Sequence, residues 1–247
     1  MIRNLLSKFT KSNDRRVQTI MGAVAMVLVL ALVVGALASC APISPSSAQF
    51  EQSRSQSVRI EVYYGDGDET GGLGSGVIVA NEGRLVLTAK HVTEGAQKIV
   101  VALDDRTKYE GTVVWAAKDA DLALIKLKGC GKLPEEPTLR VRTDPQLGEP
   151  IYVIGNPLGV HAILTQGHVA SERIDGGDLF VDVSIAPGNS GGGVFDANGK
   201  LIGIVVAAVV WRNGGTSVSL SGVNVAIPVA VICGELKKDL DTGTACN

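Results

Sequence analysis

Three residues of this 247-residue chain could together do chemistry that none can do alone. They are His91 in "LVLTAKHV", Asp121 at the head of "DLALIKL", and Ser190 inside "APGNSGGG". A serine hydroxyl is a weak nucleophile until a neighbouring base takes its proton, and an imidazole serves best when a third group orients it. The base must come from His91, His161 or His168, the only histidines present. Asp119, two residues before Asp121 and on the same strand parity, is the rival acid. Ser190 follows Pro187 and lies among Gly188, Gly191, Gly192 and Gly193. That composition suits a backbone bent to expose one side chain, with a phosphate cradle or an ordinary glycine-rich turn as the competing explanations.

The stretch Gly188 to Gly192 also satisfies G-x-S-x-G, the strained strand-to-helix elbow of the α/β-hydrolases. Those enzymes place the acid and then the histidine after the serine, and here no histidine follows Ser190. The order His91, Asp121, Ser190 is instead that of chymotrypsin-type proteases. Four blocks extend the likeness: "SGVIVANEGRLVLTAKHV", "DADLALIKL", "GEPIYVIGNPLGVHAILTQGHVAS" and "VSIAPGNSGGGVFDANGKLIGIV". In this order, over roughly residues 57–232, they resemble the trypsin-like serine proteases of the HtrA/Deg type.

The resemblance implies roles. His91 is expected to act as general base and then acid. Asp121, followed by the family's Leu-Ala strand residues, is expected to fix its tautomer. The N–H groups of Gly188 and Ser190, on either side of Asn189, are expected to form an oxyanion hole. The primary pocket would be lined by Ser184 and Ile185 and by Val205, Val206 and Ala207; with no acid among them, it suits a small or medium aliphatic side chain. His161 and His168 fall in the segment resembling the family's "GNP…TQG" region and are expected to be ordinary loop or strand-edge residues. In the resembled fold the inter-barrel connector passes near the C-terminal helix, so Cys130–Cys233 is the expected disulfide, with Cys246 as substitute partner. Members of the family usually carry PDZ domains beyond this region; the sequence ends at Asn247 without one, so control through such domains is not implied.

The elements that must position these residues read as β structure. Glycine is abundant, with 30 residues, and valine, isoleucine and threonine recur in short alternating runs. The pattern predicts an all-β fold: two six-stranded antiparallel β-barrels and a short C-terminal helix. Barrel 1 is expected over about 57–130, a proline-bearing connector over 131–150, and barrel 2 with the helix over 151–240. In "PVAVICGELKKDLD", Val229, Ile232 and Leu236 share one helical side.

Ahead of this domain the chain changes character. Residues 1–19 carry Arg3, Lys8, Lys11, Arg15 and Arg16, and Ile20–Ser39 holds no charge. Such a run can cross a bilayer, with the basic flank on the cytoplasmic side. It ends in "LASC", which resembles a lipobox, so Cys40 is either an acylated first residue or part of an uncleaved anchor. Residues 41–56, polar and serine-rich, are expected to be a flexible tether reaching roughly 20 Å. The expectation is a membrane-tethered serine endopeptidase of the cell envelope that faces the periplasm or exterior and acts on unfolded or exposed polypeptide. No metal or cofactor is expected, since no C-x-x-C pair occurs. A net charge of -2 and 4% aromatic residues give no reason to expect nucleic acid as partner. A protease-fold chaperone without turnover is the alternative. The oligomeric state is open.

Overall fold

The structure is a computed structural model and describes residues 26–27, 46–65, 71–80, 84–131, 133, 140–171, 177–213 and 216–240, the side chains of 80, 207–221 and 240 excepted. Residues Ser44–Asn247 form one compact unit, and Met1–Ile43 another. Among the described residues no helix is long and apolar enough to cross a membrane. The apolar run 20–39, apart from Met26 and Val27, and Cys40 lie outside the described residues.

Period-2 alternation builds the first barrel. In β1 (Ser57–Tyr63), Val58, Ile60 and Val62 are buried at 0%, 0% and 1% exposure. β2 (Gly72–Ala80), β3 (Leu85–Thr88), β4 (Lys98–Ala102), β5 (Lys108–Ala116) and β6 (Ala123–Leu127) close with it in the order β1-β2-β3-β6-β5-β4. All pairings are antiparallel, and closure leaves no free sheet edge. The second barrel follows with β7 (Pro150–Gly155), β8 (Ile163–Ser171), β9 (Leu179–Val181), β10 (Gly193–Asp196), β11 (Leu201–Asn213) and β12 (Thr216–Pro228). It closes as β10-β11-β12-β9-β8-β7. The expected pair of six-stranded barrels is the observed architecture.

Strand β7 shows how the barrels are joined. Ile151 and Val153 pack inside barrel 2 with Val169, Val181, Val194 and Ile202. Tyr152 and Ile154, on the opposite face, join the apolar cluster of barrel 1. Tyr152 stacks on Phe195 of β10 with ring centroids 5.4 Å apart. One face of a strand therefore fills its own barrel and the other fastens the two barrels together. The helix α3 (Val229–Leu240), as expected, buries Val229, Ile232 and Leu236 in the same shared cluster. Asp239 of α3 accepts the Trp115 indole N–H of β5 at 2.9 Å.

Two expectations need correction. Residues 47–56 of the supposed tether form a helix, α1 (Ser47–Gln56). Ser46 and Gln49 make a reciprocal capping box at its start. Ser53, fully buried, shares a 2.8 Å hydrogen bond with the Tyr152 hydroxyl, and Arg54 pairs with Asp104 at 3.1 Å. The helix is fixed by polar contacts rather than by an apolar stripe. The Cys130–Cys233 disulfide does not form: Cys130 is free and exposed, whereas Cys233 is disulfide-bonded. Its partner lies outside the described residues, as does the substitute candidate Cys246.

Candidate active site

His91 sits on a single helical turn, α2 (Lys90–Thr93), immediately beyond β3. The fully buried Ala89 and the largely buried Val92 pin this turn to barrel 1, while the His91 ring stays half exposed. Asp121 lies in the turn leading into β6, held by Leu122, which is fully buried and whose carbonyl accepts the Ala117 N–H at 2.9 Å. β3 and β6 are hydrogen-bonded neighbours, so their ends bring the two residues together. The His91 Nδ1 and Asp121 Oδ2 are 2.6 Å apart, and the His91 backbone N–H donates to Asp121 Oδ1 at 2.9 Å. Asp119, the rival acid, is exposed and makes no hydrogen bond to His91 among the described residues.

This pairing polarises both groups. The hydrogen bond to Asp121 raises the His91 pKa; burial works against it, and the charges of Asp121 and Glu94 add to the rise. Burial alone would raise the Asp121 pKa, but the side-chain and backbone hydrogen bonds of His91 outweigh it and hold the carboxyl below its usual value. Near neutral pH the carboxylate is ionised, and it favours an imidazole carrying its proton on Nδ1.

Ser190 lies in the tight turn before β10, partly exposed. Gly188 and Gly191 adopt φ of +100° and +85°, in the left-handed region. A Cβ on Gly188 would come within 2.5 Å of the Asn156 carbonyl oxygen, and one on Gly191 within 2.0 Å of the Ser75 carbonyl oxygen. The two glycines are thus required by both torsion and space. The Asn189 N–H donates to the Ala186 carbonyl at 3.0 Å, whereas among the described residues the N–H groups of Gly188 and Ser190 take no backbone acceptor. Asn189 is buried, and its Oδ1 has no hydrogen-bond partner among the described residues.

Ser75 on β2 links this turn to the histidine. Its N–H donates to the Ser190 carbonyl at 2.7 Å, and its own carbonyl accepts the Thr88 hydroxyl at 2.7 Å, three residues before His91. Among the described residues no hydrogen bond joins the His91 ring to the Ser190 hydroxyl; the chain Ser190–Ser75–Thr88 holds the two segments near each other. Ser75 and Asn156 were not singled out in the sequence. The available signal was a serine between two glycines at an inward strand position, in "GLGSGVIV", and the asparagine of "IGNP".

The remaining candidates divide. His161 pairs with Asp104 at 3.1 Å and His168 with Asp182 at 3.3 Å, and among the described residues neither ring makes a hydrogen bond to Ser190 or to the Ser75 and Thr88 groups that hold its turn. Ile185 packs on the barrel 2 core that includes Val205, and Ser184 is exposed. Val206 is instead buried in the cluster shared between the barrels, so the expected pocket residues do not all share one lining. The side chain of Ala207 lies outside the described residues.

Residues 74–204 match the family model described as "Trypsin-like peptidase domain". The chain belongs to this trypsin-like peptidase family. The matched span runs from the glycine before Ser75 through His91, Asp121 and Ser190 into β11. Similar curated proteins include "Probable periplasmic serine endoprotease DegP-like" of Pseudomonas putida (strain W619), 36% identical over 182 residues, covering 69% of this chain and 36% of that protein. "Serine endoprotease DegS" of Escherichia coli (strain K12) is 37% identical over 163 residues, covering 63% of this chain and 45% of that protein. The chain therefore spans a third to a half of the length of these relatives. Among solved structures, the serine endoprotease from Yersinia pestis superposes with a TM-score of 0.65 at 29% identity, covering 81% of this chain and 68% of that one. Trypsin-like membership agrees with the two closed barrels and with the resemblance carried by the four sequence blocks.

Proposed function

We propose that this chain is a serine endopeptidase that cleaves unfolded or exposed polypeptide through an acyl-enzyme. The observation that carries this reading is the doubly hydrogen-bonded His91–Asp121 pair on a segment that Thr88 and Ser75 tie to the Ser190 turn, an arrangement suited to a base that takes the serine proton. His91 Nε2 takes the Ser190 hydroxyl proton as Oγ bonds to the scissile carbonyl carbon. The carbonyl oxygen gains the electron pair and is met by the N–H groups of Gly188 and Ser190. Collapse of this intermediate breaks the C–N bond, and His91 delivers its proton to the leaving amine. Water then repeats the sequence on the ester, releasing the acid and returning the proton to Ser190. Asp121 stays ionised throughout and stabilises the imidazolium.

The lack of an acid among Ser184, Ile185, Val205, Val206 and Ala207 supports a preference for a small or medium aliphatic residue before the scissile bond. The names of the relatives support a place in the cell envelope. The basic and then apolar pattern of residues 1–40 supports a membrane tether, by lipid on Cys40 or by an uncleaved span. Metabolic labelling with a palmitate analogue, lost in Cys40→Ser, separates these two forms.

The test of catalysis is casein digestion by the full chain together with labelling by a fluorophosphonate probe, each compared with Ser190→Ala. Digestion and labelling that vanish in the variant are the expected result. A folded wild-type protein that does neither would instead be a protease-fold binding protein.

A further inference from the structure

An anion hole made of backbone N–H groups has no side chain to aim it, so something else must hold its peptide planes. Here both carbonyls flanking the Gly188 N–H are tied down. The Pro187 carbonyl accepts the Leu158 N–H at 2.8 Å, and the Gly188 carbonyl accepts the Ser75 hydroxyl at 2.7 Å. In a trans peptide the N–H and the preceding C=O point in opposite directions. Holding the Pro187 oxygen toward Leu158 therefore turns the Gly188 N–H away from it. Restraining the next carbonyl keeps Gly188 itself from rotating.

Both restraints trace to one hydroxyl. Ser75 Oγ accepts from the Asn156 backbone N–H at 2.8 Å and from Asn156 Nδ2 at 3.1 Å. With both lone pairs taken, its single proton is left for Gly188. The Asn156 amide is itself oriented, since Nδ2 also donates to the Val58 carbonyl at 3.0 Å and Oδ1 accepts the Ala162 N–H at 3.1 Å. Ser75 and Asn156 are both fully buried. Asn156 leads directly into the turn Pro157–Gly159, where Leu158 adopts φ 53° and presents the N–H that grips Pro187. Ser75 thus holds Gly188 directly and, through Asn156, anchors the turn that holds Pro187. It does so from barrel 1, while the nucleophile turn belongs to barrel 2.

We infer that Ser75 is a positioning residue whose hydroxyl sets the direction of the Gly188 N–H, so that the anion-binding geometry is built by a barrel 1 side chain clamping a barrel 2 turn. Ser75 touches neither substrate nor reacting atoms. The inference rests on the assignment of Ser190 as nucleophile.

The experiment compares wild type with Ser75→Ala in steady-state cleavage of a peptide substrate and in the rate of fluorophosphonate addition to Ser190. The expected fall in kcat is about tenfold to a hundredfold, part of the hundredfold or more that accompanies outright loss of one such donor. KM should stay within about twofold, because the missing restraint acts where charge develops rather than where the substrate binds. Phosphonylation should slow by a factor similar to kcat, and the pH midpoint set by His91 should not move. A merely structural serine would change the melting temperature and leave kcat and the phosphonylation rate of the folded enzyme as they were; that result, or a change confined to KM, overturns the inference. Should Ser75→Ala fail to fold, Ser75→Cys keeps the size of the side chain with a weaker donor. A smaller fall of the same kind is then expected, and unaltered kcat overturns the inference. A wild-type protein that neither cleaves nor is phosphonylated overturns the nucleophile assignment first, and this inference with it.

Discussion

Asp121 grips His91 at two points, the ring Nδ1 at 2.6 Å and the backbone N–H at 2.9 Å, one with each carboxylate oxygen. The backbone bond fixes where the carboxylate sits, and the ring bond leaves Nε2 as the imidazole nitrogen free to take a proton. Asp121→Asn would preserve the shape while offering the ring a donor or a neutral acceptor. The expected result is a fall in kcat on the order of 10⁴-fold, the scale seen when this acid is amidated in other proteases of the kind. Asp119→Asn should leave kcat within about twofold, as a change at an exposed side chain that makes no hydrogen bond to His91 among the described residues. Steady-state cleavage of one peptide substrate by both variants checks the pair.

The same contact sets the pH dependence. His91 must be neutral to accept a proton, and its hydrogen bond to Asp121 raises its pKa above the ordinary value of about 6.5. The acid limb of kcat/KM should therefore be centred above that value, and Asp121→Asn should move it down. Stability runs the other way. The folded state favours protonated His91, so this contribution is complete below about pH 6.5 and is lost as pH rises through the raised value. Activity should climb over the interval in which this share of stability declines. A pH–rate profile read beside denaturant midpoints at each pH tests both directions.

The tight turn at Ser190 leaves a separable signature in Gly191. Gly191 and Gly129 share nearly the same torsion, φ +85° and +88°, but differ in surroundings. A Cβ at Gly129 meets nothing within 4 Å, while one at Gly191 meets the Ser75 carbonyl oxygen at 2.0 Å and Thr88 Oγ1 at 2.3 Å. Gly129→Ala should carry only the strain of a left-handed alanine, about 1–3 kcal/mol. Gly191→Ala should carry that strain plus an overpacking penalty of about 1–3 kcal/mol more. It should also lose activity, since Ser190 is the residue immediately before it. Urea unfolding of the two variants gives the difference directly.

What the sequence carried and what it withheld follow from how local each signal is. Strands such as β1 announced themselves through alternation, as in Val58, Ile60 and Val62. The order His91, Asp121, Ser190 could be read because histidine is scarce and none follows the serine. Ser75 carries no local signal of its role, because a serine between glycines has the composition of a turn. Its hydroxyl partners lie 113 and 81 positions away at Gly188 and Asn156, and no local pattern encodes such a contact. Residues 47–56 carry no apolar helix pattern for a related reason. They offer Phe50 as their one large apolar side chain, and what orders them is supplied by Tyr152 and Asp104. The cysteines gave a count and a compartment but no geometry, so the pairing of Cys130 had no physical basis in the chain itself.

That helix permits a last prediction, because a tether and a docked helix respond differently to small changes. Ser53 is fully buried and shares its hydrogen bond with the Tyr152 hydroxyl at 2.8 Å; Tyr152 is fully buried too. Ser53→Ala would leave that phenol without its partner inside the interface between helix and barrel. An unsatisfied buried group of this kind costs about 1–3 kcal/mol. Ser46→Ala removes the cap at the other end of the helix, at about 0.5–2 kcal/mol. Neither residue is near His91 or Ser190 in the chain of contacts that builds the site, so kcat should stay at the wild-type level. Denaturant unfolding should therefore show both variants destabilised, and limited proteolysis should cut them faster within 47–56. A flexible tether would give wild-type unfolding midpoints for both, since a segment that makes no contacts in the folded state has none to lose.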